Sequence, residues 1–214
     1  MNRLYWFGFL VLVLFYGSYL CKQLLLKRRG ISTNRLGRGN KPVRTLRIET
    51  ALKFASFTMA AVQIISLLVV KEAYLLLAQH IIRCAGIGFS MVGAAVFITA
   101  MACMKTSWRA GVDSGQHTEL IRSGIYRISR NPAFLGFDLF YIGFAMAFSN
   151  PLQLVFTLLC VILFHLQILE EEQYLPIVFG SAYEEYKRVT ARYLCFFREG
   201  CVQPLLNFTV NHTL

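Results

Sequence analysis

The residues best suited to chemistry in this chain lie in two short polar segments. The first is Arg130-Asn131-Pro132-Ala133-Phe134-Leu135-Gly136, where a basic stretch enters an apolar one. The second is Glu170-Glu171-Glu172, where the next apolar stretch ends. Three adjacent carboxylates repel one another and would be drawn toward arginines such as Arg130 or Arg109. Carboxylates held that way can accept hydrogen bonds from ribose hydroxyls or an amino group, and they favour a cation nearby. The polar stretch before Pro132 carries Trp108, Arg109, Asp113, His117, Glu119, Gly124, Tyr126, Arg127 and Arg130. That is longer and more varied than a plain connector between helices. It reads either as a ligand-binding loop or as a solvated loop with one amphipathic patch.

Two further features could bear on chemistry. Asp138 and His165 are ionisable residues within apolar segments, and such residues usually face a partner or a cavity. Counted from the turn between them, their depths differ by about 3 Å at 1.5 Å per residue. The two can meet across a hairpin, either as a structural pair or as the lining of a headgroup pocket. Gly86-Ile87-Gly88 is a lone GxG in an apolar segment, a pattern that more often serves close helix packing than cofactor binding.

The elements that position these residues are apolar helices. Of the 214 residues 56% are hydrophobic and 15% charged, which marks a membrane protein rather than a soluble domain. Five spans are expected. The first three are about 4–26, about 48–70, and a third that ends near Met104 and starts between Ala73 and Ile81. The fourth and fifth are about 133–148 and 151 to about 169. The first lacks a small-residue cleavage signal and is long for a signal peptide, so it reads as a helix. Asn131-Pro132 suits a helix start, with Asn as cap and Pro in the first turn. Ser149-Asn150-Pro151 reads as the turn of a tight helical hairpin. Beyond it, 170–192 reads as a helix leaving the membrane, kinked at Pro176 and interrupted at Gly180. The chain divides into a three-helix region (1–104) with a basic loop (27–47), a core (105–194) and a tail (195–214).

The net charge of +11 comes from 22 basic and 11 acidic residues. The bases lie between the apolar runs, so topology explains them better than nucleic-acid binding does. Five spans put the 27–47 loop, the 105–132 loop and the C-terminal segment on one basic side, expected to be cytoplasmic, with the N-terminus outside. That side would be the cytoplasmic face of the plasma membrane in a bacterium, or of the endoplasmic reticulum in a eukaryote. The 27–47 loop would also attract anionic lipids. Six cysteines without a CxxC pair read as small apolar residues, not as a disulfide framework or metal site.

Taken in order, these residues resemble the integral membrane methyltransferases of the isoprenylcysteine carboxyl methyltransferase and phospholipid methyltransferase family. The likeness runs from about Trp108 to Arg192. It rests on His117, then Leu120-Ile121-Arg122-Ser123-Gly124-Ile125-Tyr126, then the Arg130–Gly136 segment. After the hairpin it rests on Glu171-Glu172, Leu175, Phe179-Gly180, Tyr183, Tyr186, Val189 and Arg192. Asn131 stands where His is frequent in the family, and Phe134 where Tyr is. The resemblance implies an all-α membrane fold, S-adenosylmethionine as cofactor near the cytoplasmic face, and a lipophilic acceptor arriving from the bilayer. It implies that His117, Gly124, Tyr126, Arg130, Asn131, Pro132, Gly136, Glu171 and Glu172 frame the cofactor. Arg109 or Arg192 would orient an anionic acceptor, and Glu172 would steer a cationic one. The acceptor could be an isoprenylcysteine carboxylate, a phospholipid amine or a small thiol. An NADPH-dependent reductase of the membrane sterol type is a second reading, since such enzymes look similar around an Arg-x-Pro segment. A lipid-binding scaffold is a third.

Overall fold

The computed structural model describes residues 3–31, 33–38, 41–109, 111 and 119–194. It is helical, with no β-strand among the described residues. Among those residues six α-helices follow in order: α1 (Arg3–Arg28), α2 (Val43–Leu68), α3 (His80–Met104), α4 (Pro132–Ala147), α5 (Pro151–Phe179) and α6 (Ser181–Val189). Four of these, α1, α2, α3 and α5, are long and apolar enough to cross a membrane. Their outward faces carry large apolar residues such as Trp6, Phe57, Ile81 and Leu158, each at least 60% exposed, as lipid contact requires. The chain is thus a multi-pass membrane protein. The fourth expected span is shorter. The 16 residues of α4 reach about 24 Å at 1.5 Å per residue, less than the roughly 30 Å hydrocarbon core. The third span is resolved by a 3-10 turn at Glu72–Tyr74, after which α3 begins at His80.

Contacts at the helix ends define two faces. On one, Arg83 folds inward and is 4% exposed. It pairs with Glu72 at 2.8 Å, donates to Ala147 O at 3.1 Å and lies over the Tyr5 ring. Leu76 N donates to Ser149 O on the same face, which binds the segment before α3 to the hairpin turn. That turn forms as expected: Asn150 Oδ1 caps α5 by accepting from Gln153 N at 3.0 Å, with Pro151 in the first turn. Asn150 Nδ2 also donates to Ser66 Oγ of α2 at 2.8 Å. Asn150→Ala should therefore cost about 1–2 kcal/mol, read as a lower unfolding midpoint in detergent, with Asn150→Ser recovering much of it.

The tightest helix contact is α3 against α4. Gly86 and Gly93 on α3 face Gly143 and Gly136 on α4. A Cβ at Gly143 would come within 2.6 Å of Gly86 O, and one at Gly136 within 2.7 Å of Phe97 N. The backbones meet because no side chain stands between them, as small residues in membrane helices allow. Gly88, by contrast, faces open space. Only the first glycine of the GxG pair packs. Around this crossing Phe15, Phe97, Phe140 and Phe144 are fully buried, with Phe15 stacked on Phe140 at 3.8 Å. α4 is short but sheltered, so it holds its N-terminus at a fixed height beneath the opposite, basic face.

α5 has 29 residues, about 43 Å of helix, and so projects well past a 30 Å core. Its last turns carry the acidic triplet. α5 continues through Pro176 to Phe179, and the chain then breaks at Gly180, where φ is +55°. That left-handed value favours glycine. α6 then turns back, burying Tyr183 and Tyr186 and exposing Glu184, Glu185 and Arg188.

Candidate functional site

Successive residues of a helix point about 100° apart, so three adjacent acids cannot share one neighbour. In the structure each takes a different one. Glu170 turns to α2, accepting from Thr45 Oγ1 at 2.6 Å, with Arg44 Nε at 3.1 Å. Glu171 accepts from Gln167 Nε2 at 3.0 Å. Glu172 faces the segment that leads into α4.

Glu172 is 5% exposed and is the centre of a clamp. Its Oε1 accepts from Arg130 Nη2 at 2.8 Å, Arg130 Nε at 3.2 Å and Asn131 Nδ2 at 3.3 Å. Its Oε2 accepts from Arg192 Nε at 2.9 Å, with Arg192 Nη2 at 2.8 Å. The Glu172 carboxylate holds the Arg192 guanidinium above its ordinary pKa. Arg130 reaches further, donating through Nη1 to Lys187 O and Thr190 O at 2.9 and 2.7 Å. Its backbone N–H donates to Ala191 O, and Ser129 Oγ donates to Arg192 O. The Tyr186 hydroxyl closes the other side by donating to Tyr126 O at 2.6 Å. Three separate pieces of chain, 126–131, the end of α5 and 186–192, are thus sewn around one buried carboxylate.

Asn131 departs from the cap expected of it. It precedes α4, and Pro132 fills the first helical position, but the Asn131 side chain makes no cap hydrogen bond. Its amide donates instead to Glu172 and to Arg192 O at 3.2 Å. A buried anion competes for the donor better than the helix end does for the acceptor. Phe134 packs its ring near Phe164, with centroids 5.7 Å apart.

The remaining residues singled out from sequence are dispersed. Tyr126 is buried in the 3-10 turn Gly124–Arg127 beside the clamp. Gly124 has φ +61° and lies close to Cys103. Gly136 sits at the α3–α4 crossing. Arg109 donates to Thr106 O and Trp108 O at 2.7 and 2.8 Å, bracing its own loop. His117 and Asp113 lie outside the described residues. Asp138 and His165 do not pair: His165 Nδ1 lies 2.6 Å from the Tyr193 hydroxyl, and Asp138 Oδ1 has no hydrogen-bond partner among the described residues. The segment after α6 brings the Tyr193 hydroxyl to His165 instead.

Sequence reasoning missed Glu49. It is fully buried near the start of α2. It accepts from Gly37 N at 2.8 Å and pairs with Lys41 Nζ at 2.7 Å, pinning the basic loop down. Gly111, with φ +90°, packs against Arg35, Leu36 and Glu49. Part of the 27–47 stretch is therefore a roof beside the acidic triplet, while Lys27, Arg28, Arg29, Arg38, Arg44 and Arg47 remain exposed. The signal was a lone acid just past a run of bases.

Polar atoms near Glu171 suit a ligand rich in hydroxyl and amino groups. Gln167 Oε1 and the Tyr183 hydroxyl are buried without hydrogen-bond partners among the described residues, a state that usually implies a missing partner. Burial first, and then the Glu172 charge, push the Tyr183 phenol up to about 12. It stays a neutral donor at physiological pH.

The fold and the clamp define a class: a multi-pass helical membrane protein with a buried carboxylate–arginine site at one membrane face. Residues 81–182 match the family described as phospholipid methyltransferase. Over 72 residues the chain is 42% identical to a probable protein-S-isoprenylcysteine O-methyltransferase of Oryza sativa subsp. indica, covering 33% of this chain and 37% of the relative. It is 31% identical over 105 residues to the protein-S-isoprenylcysteine O-methyltransferase of Schizosaccharomyces pombe, covering 48% and 44%. It is 41% identical over 69 residues to that of Saccharomyces cerevisiae, covering 32% and 29%. The matches span less than half the length of these relatives. Through this segment the chain is similar to the isoprenylcysteine carboxyl methyltransferases and to the phospholipid methyltransferase family.

Proposed function

We propose that the protein is a membrane methyltransferase that moves a methyl group from S-adenosylmethionine to a lipophilic acceptor. The observation that carries this reading is the convergence of Arg130, Asn131 and Arg192 on Glu172, at the membrane face and around the family-matched segment. Glu172 and Arg130 then serve as positioning residues, because their polar atoms are already engaged with protein. Glu171, Gln167 and Tyr183 would hold the cofactor, Glu171 by accepting from hydroxyl or amino groups. The bound sulfonium supplies an already activated methyl carbon, so the protein's tasks are alignment and exclusion of water. Arg109 or Arg192 would orient an anionic acceptor group only by giving up part of its present hydrogen bonding.

The acceptor would enter from the bilayer, and the basic face would lie in the cytoplasm. The exposed Lys27, Arg28, Arg29, Arg38, Arg44 and Arg47 would rest on anionic headgroups. The names of the relatives favour an isoprenylcysteine carboxylate, and the family description favours a phospholipid. No observation in the structure favours the reductase reading.

Isothermal titration of the folded, detergent-purified chain tests the cofactor. S-adenosylmethionine should bind and NADPH should not displace it. Glu171→Gln should weaken binding about tenfold or more, the loss of one charge-assisted hydrogen bond. Absence of binding by a folded sample would overturn the proposal.

A further inference from the structure

α2 and α5 run antiparallel, and contacts near both ends set their register. Thr45 Oγ1 of α2 donates to Glu170 Oε2 at 2.6 Å, and Ser66 Oγ lies 3.5 Å from Gln153 Oε1. One turn on from Thr45, about 6 Å along the helix, Glu49 occupies the same buried face of α2. The matching turn of α5 carries Gln167. Its Nε2 bonds Glu171, and its Oε1 is buried without a partner among the described residues. The charges of Glu49 and Lys41 both reach Glu171. The basic stretch before α2 is therefore anchored beside the residues assigned to the cofactor.

That stretch is held more firmly than a solvated loop requires. Lys41 is almost wholly buried and Glu49 fully so, and their charged atoms meet at 2.7 Å. Lys41 Nζ also donates to Arg35 O at 3.0 Å, and Glu49 Oε2 accepts from Gly37 N at 2.8 Å. Gly37, with φ +68°, lies flat on α2: a Cβ there would come within 2.7 Å of Thr50 Oγ1. Gly111 closes on the same point from the second polar loop. A Cβ on it would stand 3.0 Å from Glu49 Oε1 and 3.1 Å from Leu36 N. Burying two charges carries a large desolvation penalty, and apolar residues could tether the stretch as well. The charges have a further consequence at the triplet. Glu170 has Arg44, Glu172 has Arg130 and Arg192, and Glu49 has Lys41. Glu171 is the acid of this group without an ion pair among the described residues. Without Lys41, Glu49 would become a second uncompensated carboxylate beside it.

We propose that Lys41 and Glu49 are positioning residues of the cofactor site, and that their ion pair holds residues 33–38 beside Glu171 and Gln167 as a cover over the bound cofactor. This rests on the methyl-transfer reading and adds to its site a stretch that lies wholly outside residues 81–182. The pair acts in two ways. Lys41 neutralises Glu49, so Glu171 meets the ligand as a single free carboxylate. The tether also fixes the backbone of 33–38, so a ligand held by Glu171 leaves only when that cover lifts.

Hydrogen exchange of the full chain in detergent, with and without saturating S-adenosylmethionine, tests the placement. The amides of Gly37 and Arg38, held by Glu49 Oε2 and Arg35 O, should exchange more slowly once the cofactor is bound. Those of Leu76 and Leu77, held by Ser149 on the opposite face, should not change. Isothermal titration then compares Lys41→Gln with Lys41→Arg. Lys41→Gln should weaken cofactor binding about tenfold and remove the cofactor-dependent protection of 33–38. Lys41→Arg keeps the charge and the donors and should recover most of both. A tether with no part in the site would lower the unfolding midpoint when cut but would show no response of 33–38 to cofactor. That result in a wild type that binds S-adenosylmethionine, or wild-type affinity in Lys41→Gln, would overturn the proposal and leave methyl transfer standing. Should Lys41→Gln not fold, the exchange of the wild type decides alone. Failure of the folded wild type to bind S-adenosylmethionine would overturn both.

Discussion

Glu172→Gln should destabilise the protein by about 3–5 kcal/mol and abolish cofactor binding along with it. Removing one partner of a buried ion pair leaves the other charge uncompensated, and that loss is typically of this size. Glu172 has two such partners. Arg130 has an 8% exposed side chain, whereas Arg192 at 38% can turn toward water. The penalty therefore falls mainly on Arg130. Glutamine keeps one carbonyl oxygen, but it places an NH2 group where three donors now converge on an acceptor. The mismatch would release Asn131 and the 190–192 segment together, because both are tied to the same carboxylate. Thermal unfolding in detergent should show a lower midpoint, and titration should show no cofactor affinity. Removing both charges should hurt less than the two single losses combined, so Arg130→Met with Glu172→Leu should be more stable than Glu172→Gln alone. A Glu172→Gln protein with wild-type stability and affinity would show that the clamp carries no structural weight.

The hairpin and the meeting of Arg130 with the acidic triplet were legible in the sequence. Two apolar runs joined by Ser149-Asn150-Pro151 leave little choice of connection, and the positions of Arg130 and Glu172 follow from helix length. Which acid meets Arg130 was less legible. Glu171 and Glu172 both fit the spacing, and only the rotation of α5 separates them. That rotation is set by packing, chiefly against α2, where Thr45 receives Glu170. Asn131 shows a different limit. Local rules make it a helix cap, but a buried carboxylate 41 residues away outcompetes the helix end. His165 likewise finds Tyr193 in a segment whose return path depends on the break at Gly180. Glu49 was passed over because its partners, Lys41 and Gly37, lie in a stretch whose charge suggested solvent or lipid.

The second large effect concerns residues that touch no ligand. Gly93→Ala should disable the protein, whereas Gly88→Ala, five residues away on the same helix, should be neutral or slightly stabilising. A Cβ at Gly93 would collide with Phe140 N and come within 2.7 Å of Gly136 O, both backbone atoms of α4 that no rotamer change can move. A Cβ at Gly88 meets nothing within 4 Å. Overpacking a tight contact typically costs about 1–3 kcal/mol, and here the yielding part must be a whole helix. In an open helical position the same exchange gains up to about 1 kcal/mol through backbone entropy. The functional consequence follows from where α4 begins. Its first residue is Pro132, directly after Arg130 and Asn131, so any shift of α4 against α3 is delivered to the clamp. Gly93→Ala should therefore lower both the unfolding midpoint and the cofactor affinity, while Gly88→Ala preserves both. Equal tolerance of the two substitutions would mean that the α3–α4 contact does not set the height of the site. A Gly93→Ala protein that is less stable but binds cofactor normally would separate packing from positioning, and would move the origin of the site's geometry to the α2–α5 contact instead.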